Sequence, residues 1–360
     1  MKNVTMISRR SFLKAAMAAS AVSALAFTGC GGSASSTVTA SSTASSAAEG
    51  GQTFKVGIVN YVDHASLNQI VESVESRLDE LGAEKGVTFD YADYYANAQA
   101  DQSNLNQIGA DLVGDGVDVI VAVATPTAAT MLAAVEDTDI PVVYSAVTDP
   151  AAAGFDGEEN ITGTSDALNT EAIMNLITAV NPDIDTIGLL YDLSQDASTQ
   201  AIADAKAFCD ANGIKYIEKN GTTTAEVQMA AEALIASGVK AVFTPTDNTI
   251  MTAELSIYEA FNEAGVQHYT GADSFALNGA FVGYGVDYVQ LGEATADMVA
   301  ELLCDGKTTA DLPYQTFDNG IVTINTETCE ALGLDLETVK EAFKPYATEI
   351  VKVTTAEDFS

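Results

Sequence analysis

From Phe54 onward, short continuous apolar runs alternate with segments whose apolar positions recur every three or four residues. Lys55-Val56-Gly57-Ile58-Val59-Asn60-Tyr61 reads as a strand leading into the polar turn Asp63-His64-Ala65-Ser66. A helical pattern follows through Leu67, Ile70, Val71, Val74 and Leu78 and stops at Gly82. The alternation recurs as a strand over 87–95, a helix through Leu105, Ile108 and Leu112, a strand over 117–124, a helix from Met131 to Val135 and a strand over 140–146. Runs this continuous belong to strands buried on both faces, hence to a parallel sheet covered by helices.

A second series then begins. Thr186-Ile187-Gly188-Leu189-Leu190-Tyr191 echoes the run at 55–60, and Gly238-Val239 with Phe243-Thr244-Pro245-Thr246 echoes Gly116-Val117 with Ala124-Thr125-Pro126-Thr127. Tyr269-Thr270-Gly271-Ala272-Asp273 echoes Tyr144-Ser145-Ala146, with Asp149 beyond. Matches in one order predict two lobes of one architecture. The fold class is α/β, with two doubly wound (Rossmann-like) lobes. The β-branched stretch 160–165 crosses between them. A strand over 280–285, a helix over 289–303 and a strand pair near 314–324 cross back and forth, and helices up to Tyr346 close the chain. Lobe 1 is expected over 54–161 plus about 275–308, and lobe 2 over 162–274 plus about 309–350.

The segment ahead of the lobes has a different character. Ser8-Arg9-Arg10-Ser11-Phe12-Leu13-Lys14 precedes a mostly apolar run from Ala15 to Phe27, then Thr28-Gly29-Cys30. A charged start, a short apolar stretch and small residues before a cysteine read as an export signal over 1–29. The run is too short to span a bilayer as a stable helix. Acylation of Cys30 would anchor the chain, since two acyl chains hold firmly where one does not. Residues 30–53 are rich in Ser, Thr, Ala and Gly, the composition of a flexible tether.

The net charge of −36 falls to about −40 once the four positive charges of the export segment are removed. Such a surface repels nucleic acid, which demands Lys and Arg patches. Cys209, Cys304 and Cys329 are an odd, widely spaced set with no CxxC, and they read as small buried hydrophobes. No GxSxG, HExxH, GxxxxGK[ST] or GxGxxG occurs, so neither an enzyme nor a resident cofactor or metal is expected.

Ligands of open parallel sheets bind beyond the carboxyl ends of the strands. Those ends supply Asn60, Asp63, His64, Thr125, Ser145, Thr148 and Asp149 from the first series, and Tyr191, Asp247, Asn248 and Asp273 from the second. The same residue types also serve as helix N-caps. Beyond the export segment the chain has a single arginine, Arg77, inside the first helix, and no lysine at a strand's carboxyl end. A phosphate or dicarboxylate normally recruits such cations. A single carboxylate can be held by hydroxyls and helix N-termini instead, and an ammonium by an aspartate, which together suit a zwitterion.

These segments also match a family. Val59-Asn60-Tyr61-Val62-Asp63-His64-Ala65-Ser66-Leu67, Ala98-Gln99-Ala100-Asp101-Gln102-Ser103-Asn104-Leu105 and Val121-Ala122-Val123-Ala124-Thr125-Pro126 resemble the lipoprotein solute receptors of ATP-binding cassette (ABC) importers. So do Pro141-Val142-Val143-Tyr144-Ser145-Ala146-Val147-Thr148-Asp149-Pro150, residues 160–166 and Pro245-Thr246-Asp247-Asn248-Thr249. The branch is the one associated with tryptophan or other aromatic amino acids. The resemblance implies the type I periplasmic-binding-protein fold with a three-crossover hinge. It implies that Thr125, Ser145 and Thr148 hold the ligand from lobe 1, and Ser165, Asn248 and Asp273 from lobe 2. It further implies a monomer on the extracytoplasmic face of the cell membrane, held by its N-terminal lipid, serving a permease and its ATPase. Sugar or nucleoside receptors of the same fold, and a sensor for a signalling partner, are the alternatives within the binding class.

Overall fold

The computed structural model describes residues 51–317 and 319–359. The export signal, Cys30 and nearly all of the tether lie outside these residues. Lobe 1 begins with β1 (Thr53–Asn60), α1 (Ala65–Lys85), β2 (Thr88–Asp90), β3 (Tyr95–Asn97), α2 (Gln102–Asp115), β4 (Val119–Val123), α3 (Thr125–Ala134), β5 (Val142–Ser145) and β6 (Ile161–Ser165). The chain then crosses to lobe 2, which adds α4 (Thr170–Val180), β7 (Thr186–Tyr191), α5 (Asp196–Asn212), β8 (Lys215–Asn220), α6 (Thr224–Ala236), β9 (Ala241–Thr244), α7 (Asn248–Ala253), α8 (Tyr258–Ala264), β10 (Gln267–Thr270), α9 (Asp273–Leu277) and β11 (Val282–Gly285). It returns to lobe 1 for α10 (Tyr288–Cys304) and β12 (Gln315–Thr316), and ends in lobe 2 with β13 (Ile321–Asn325), α11 (Thr326–Ala331), α12 (Leu336–Phe343) and β14 (Glu349–Val353). The three crossings, at 166–169, at 286–287 and between β12 and β13, form the hinge.

Each lobe carries one sheet, ordered β12-β6-β5-β4-β1-β2 and β14-β13-β11-β10-β9-β7-β8, with β3 pairing the far end of β1. The echoing sequences occupy matching places: β1 and β7, β4 and β9, and β5 and β10 are the central strands of their sheets. Their side chains are buried on both faces, as at Val56, Ile58, Val119, Val121, Leu189 and Phe243. That is why they read as continuous apolar runs rather than alternating ones. α10 supplies a buried face of Leu291, Met298 and Val299. It lies against α1, where a Cβ on Gly292 would come within 2.8 Å of the Ile70 carbonyl. That close approach fixes the returning segment to lobe 1.

Several expectations need correcting. Residues 87–95 do not form one strand: a turn closed by Tyr94 N–H donating to the Tyr91 carbonyl separates β2 from β3. Both then pair with β1, β2 at its start and β3 at its end. The strand pair near 314–324 is no pair, because β12 joins β6 while β13 runs antiparallel to β11 in the other sheet. The lobe boundaries shift accordingly. β6 belongs to the first sheet and β11 to the second, so the segment returning to lobe 1 starts at α10 rather than near 275, and lobe 2 resumes at β13 rather than near 309. β14, at the end of the chain, was not expected. Hydrogen-bond partners far away in sequence decide these assignments, and local pattern does not carry them. Among the described residues no helix is long and apolar enough to cross a membrane.

Candidate functional site

The carboxyl ends of both sheets face one another across the hinge, and a small cavity of about 30 Å³ lies between them. Lobe 1 lines it with His64, Ser66 and Leu67 at the start of α1, Ala124 and Thr125 between β4 and α3, and Ala146 and Thr148 after β5. Lobe 2 contributes Ala197, Thr246, Asp247, Asn248, Met251, Ala272, Ser274 and Phe275, while Asp166 enters from the first hinge crossing and Tyr288 from the start of α10, just after the second.

Two alanines in this wall adopt a backbone that L residues avoid. Ala124 has φ 78° and Ala146 has φ 57°. Both follow adjacent strands, and Ala124 N–H donates to the Ser145 carbonyl at 2.9 Å. Such strain persists only where surroundings enforce it, and it clusters at binding sites. Ala124 is also the N-cap of α3, and its methyl group offers no acceptor, so the helix has no side-chain cap and carries Pro126 in its first turn. The free amide groups of that turn, with the helix dipole behind them, favour a negative group at Thr125.

The lobes are in contact around the cavity. His64 caps α1, its Nδ1 accepting the Leu67 N–H at 3.5 Å. An accepting Nδ1 leaves the proton on Nε2, which therefore donates to Asn248 Oδ1 across the cleft at 3.0 Å. Burial pushes the His64 pKa down to about 4, which keeps the ring neutral and the cap intact at neutral pH. Ser66 Oγ donates to Asp273 Oδ1 at 3.2 Å. Thr148 Oγ1 lies 3.2 Å from Thr246 Oγ1. Its own proton goes to Asp166 Oδ1 at 2.9 Å, so Thr246 is the donor in that bridge.

The acids of the cleft are not equivalent. Asp247 caps α7, and its oxygens accept from the N–H groups of Thr249, Ile250 and Asp192 and from Ser198 Oγ. Its acceptor capacity is spent on the protein. Asp273 is half-buried at the start of α9 and holds Ser66; its neighbours, not its own carboxyl, line the cavity. Asp166 is 6% exposed and accepts hydrogen bonds from the side chains of Thr148 and, at 3.4 Å, Tyr288. Each of its oxygens holds one side-chain donor, which leaves acceptor capacity where the residue lines the cavity, and no lysine or arginine lines the site. Burial raises its pKa.

Of the residues named from sequence, His64, Thr125, Thr148, Asp247 and Asn248 line the cavity, and Asp273 borders it. The others are placed elsewhere. Asn60 bonds Asn68 beneath α1, and Asp63 holds Asn97 on the rim. The Ser145 hydroxyl is turned inward, 3.0 Å from Thr295 on α10. Asp149 accepts the Ala152 N–H in its own turn, and Ser165 Oγ donates to the Thr148 carbonyl. Tyr191 points its hydroxyl at Glu218. Asp166, Ser66, Met251, Phe275 and Tyr288 were missed. Asp166 had a signal, the polar residue that ends an otherwise β-branched crossing strand, whereas Phe275 and Tyr288 read as ordinary apolar helix positions.

Burial pushes the carboxyls of Asp247 and Asp273 up to about 6. A folded pKa above the unfolded one means that protonation favours the folded state. This contribution is complete below about pH 4 and is lost as pH rises through about 6. Buried His64, whose pKa is lowered, acts in the opposite sense over the same range, so the contribution is isolated by comparison: the change in melting temperature from pH 7.5 to pH 5 is expected to be less favourable in Asp273→Asn than in the wild type. Calorimetric scans showing the same change in both proteins would contradict the raised pKa of Asp273.

Two lobes with facing strand ends, a three-crossing hinge and a cavity between the lobes define a ligand-binding protein of the type I periplasmic-binding fold. Over residues 55–351 the chain matches the ABC transporter substrate binding protein family, and it belongs to that family. It is thus a small-molecule-binding component of an ABC transporter rather than an enzyme. A tyrosine-binding protein of Clostridioides difficile (strain R20291) is 29% identical over 286 residues, 78% of this chain and 81% of that one. The ABC domain from Streptococcus pneumonia in complex with L-Trp is 28% identical, covers 83% of this chain and all of its own, and superposes with a TM-score of 0.74. The ligand-free, open structure of a substrate binding protein with adhesive properties from Clostridium difficile is also 28% identical and covers 84% of this chain and all of its own. Its TM-score is 0.62. At equal identity the liganded neighbour fits better than the open one, in keeping with the bonds that join the lobes here.

Proposed function

We propose that this chain captures an amino acid with a tyrosine- or tryptophan-sized side chain and hands it to the permease of an ABC importer. The carrying observation is Asp166, a buried carboxylate with spare acceptor capacity in a cavity lined by no cation. It takes the ammonium. The uncapped start of α3 with Thr125 takes the carboxylate, and Leu67, Met251, Ala272 and Phe275 enclose the side chain. The relatives' named ligands, tyrosine and L-Trp, support this choice. A ligand touching both lobes favours the closed form by its differential affinity, and the permease would read that form. The Cys30 lipid and the tether would hold the monomer on the extracytoplasmic face of the cell membrane, within reach of the permease.

Calorimetric titration against an amino-acid panel tests the reading, with tyrosine and tryptophan expected to bind and glutamate and arginine not. No binding by any amino acid overturns it. Because the ammonium needs Asp166 ionised and burial raises its pKa, affinity is expected to fall as pH drops from 7.5 to 5. The decline sets in above the ordinary carboxylate pKa of about 4. A pH-independent affinity across that range would remove Asp166 from the ammonium site.

A further inference from the structure

Behind the cavity wall, on the side away from lobe 1, sits a polar pair that ligand contact does not explain. His268 on β10 is 2% exposed and Glu254, just beyond α7, is 0% exposed. Nδ1 of the ring lies 3.0 Å from Glu254 Oε1, and Nε2 lies 2.9 Å from Thr244 Oγ1. Thr244 spends its only proton on the Leu190 carbonyl at 2.9 Å, so toward His268 it accepts and Nε2 carries a hydrogen. One further proton then lies between Nδ1 and Oε1, and the pair is neutral in sum whichever atom holds it. Glu254 Oε2 is buried without a partner. Burying such a pair is costly compared with apolar packing, and one use that can justify the cost is a fixed geometry.

The ring that this pair orients touches the binding site at one remove. His268 packs between Phe261, at 5.1 Å between centroids, and Phe275, at 6.3 Å and 79°, an edge-to-face arrangement. Phe275 lines the ligand cavity from α9, a helix of only five residues with little rigidity of its own. We propose that His268, held by Glu254 and Thr244, is a positioning residue that fixes the Phe275 ring in the cavity wall and so sets the size of side chain the cleft accepts. The inference rests on the amino-acid reading above for its ligand. Hydrogen bonds at both ring nitrogens prevent the imidazole from tilting, and the edge contact passes that constraint to Phe275. Without the ring, Phe275 can fall back into the vacated space and the cavity widens on that side.

The test is a titration of L-tyrosine and L-tryptophan into the wild-type protein and into His268→Ala, His268→Gln and Phe275→Leu. The ratio of the two dissociation constants is expected to move about tenfold toward the larger tryptophan in His268→Ala and in Phe275→Leu. The double variant should change it by less than the sum of the singles, as for residues in contact. His268→Gln keeps polar partners for Glu254 and Thr244 while losing the ring, so it covers the case in which His268→Ala does not fold. A purely structural role lowers both affinities together, and an unchanged ratio in a folded variant overturns the proposal. If the wild type binds neither amino acid, the amino-acid reading fails and a ligand-free arm decides this one. The chain has no tryptophan, so Phe275→Trp introduces a single tryptophan, whose emission is separable from that of the tyrosines by selective excitation. Its emission maximum is expected to shift when His268→Ala is added, and no shift overturns the positioning role.

Discussion

Replacing Asp166 with asparagine is expected to weaken binding of tyrosine or tryptophan about a hundredfold while leaving the protein folded. Asparagine keeps the shape and can still accept from Thr148, so the closed cleft loses one charge and little else. Removing one partner of a buried, hydrogen-bonded charge pair costs roughly 2–5 kcal/mol. The ligand's ammonium would be left desolvated without a counter-charge. Asp247→Asn is the informative comparison, because its oxygens are occupied by two amides of α7, the Asp192 amide and Ser198. That variant should lower the melting temperature more than it lowers affinity. Calorimetric titration paired with thermal unfolding separates the two outcomes. Equal losses of affinity in both variants would mean that the ammonium is not assigned to Asp166.

Gly283→Ala is expected to cost stability on the order of 1–3 kcal/mol, the usual range for overpacking a tight site, and to reduce ligand affinity as well. A Cβ at Gly283 would sit 2.2 Å from the Ala272 carbonyl oxygen and 2.8 Å from Asp273 Cα. These are backbone atoms of the turn that launches α9, so relief requires moving the segment carrying Ser274 and Phe275. Gly114→Ala in α2 is the matched control. A Cβ there meets nothing within 4 Å, and alanine suits a helix better than glycine. Denaturant unfolding should show a large loss for the first variant and none for the second. A Gly283→Ala protein as stable as the wild type would show that α9 can move freely.

Much of the fold was legible before any coordinates. Runs such as Ile58-Val59 and Val121-Ala122-Val123 are apolar on both sides of the backbone, a pattern that only a strand covered by helices on both faces accommodates. The repeated Thr-Pro-Thr after β4 and β9 marked two lobes, and the strand ends marked the cleft. Within the cleft, legibility failed in a consistent way. Ser145, Asp149, Ser165 and Tyr191 are polar residues at or near strand ends, as expected, but each finds a partner within the protein and turns away from the cavity. Asp247 was picked for its position, yet only its hydrogen bonds show that it is a cap.

The sequence by itself determined that this chain folds as two α/β lobes whose strand ends carry hydroxyls and carboxylates and almost no cations. Periodicity and composition are local properties, and those statements need nothing else. Only the tertiary structure decided that β11 belongs to lobe 2, that α10 returns to pack on α1, and that Asp166 rather than Asp273 faces the cavity with acceptors to spare. Each of these rests on which distant groups meet: strand pairing separates residues by tens of positions, and a carboxylate is free for a ligand only once every nearby donor has been accounted for.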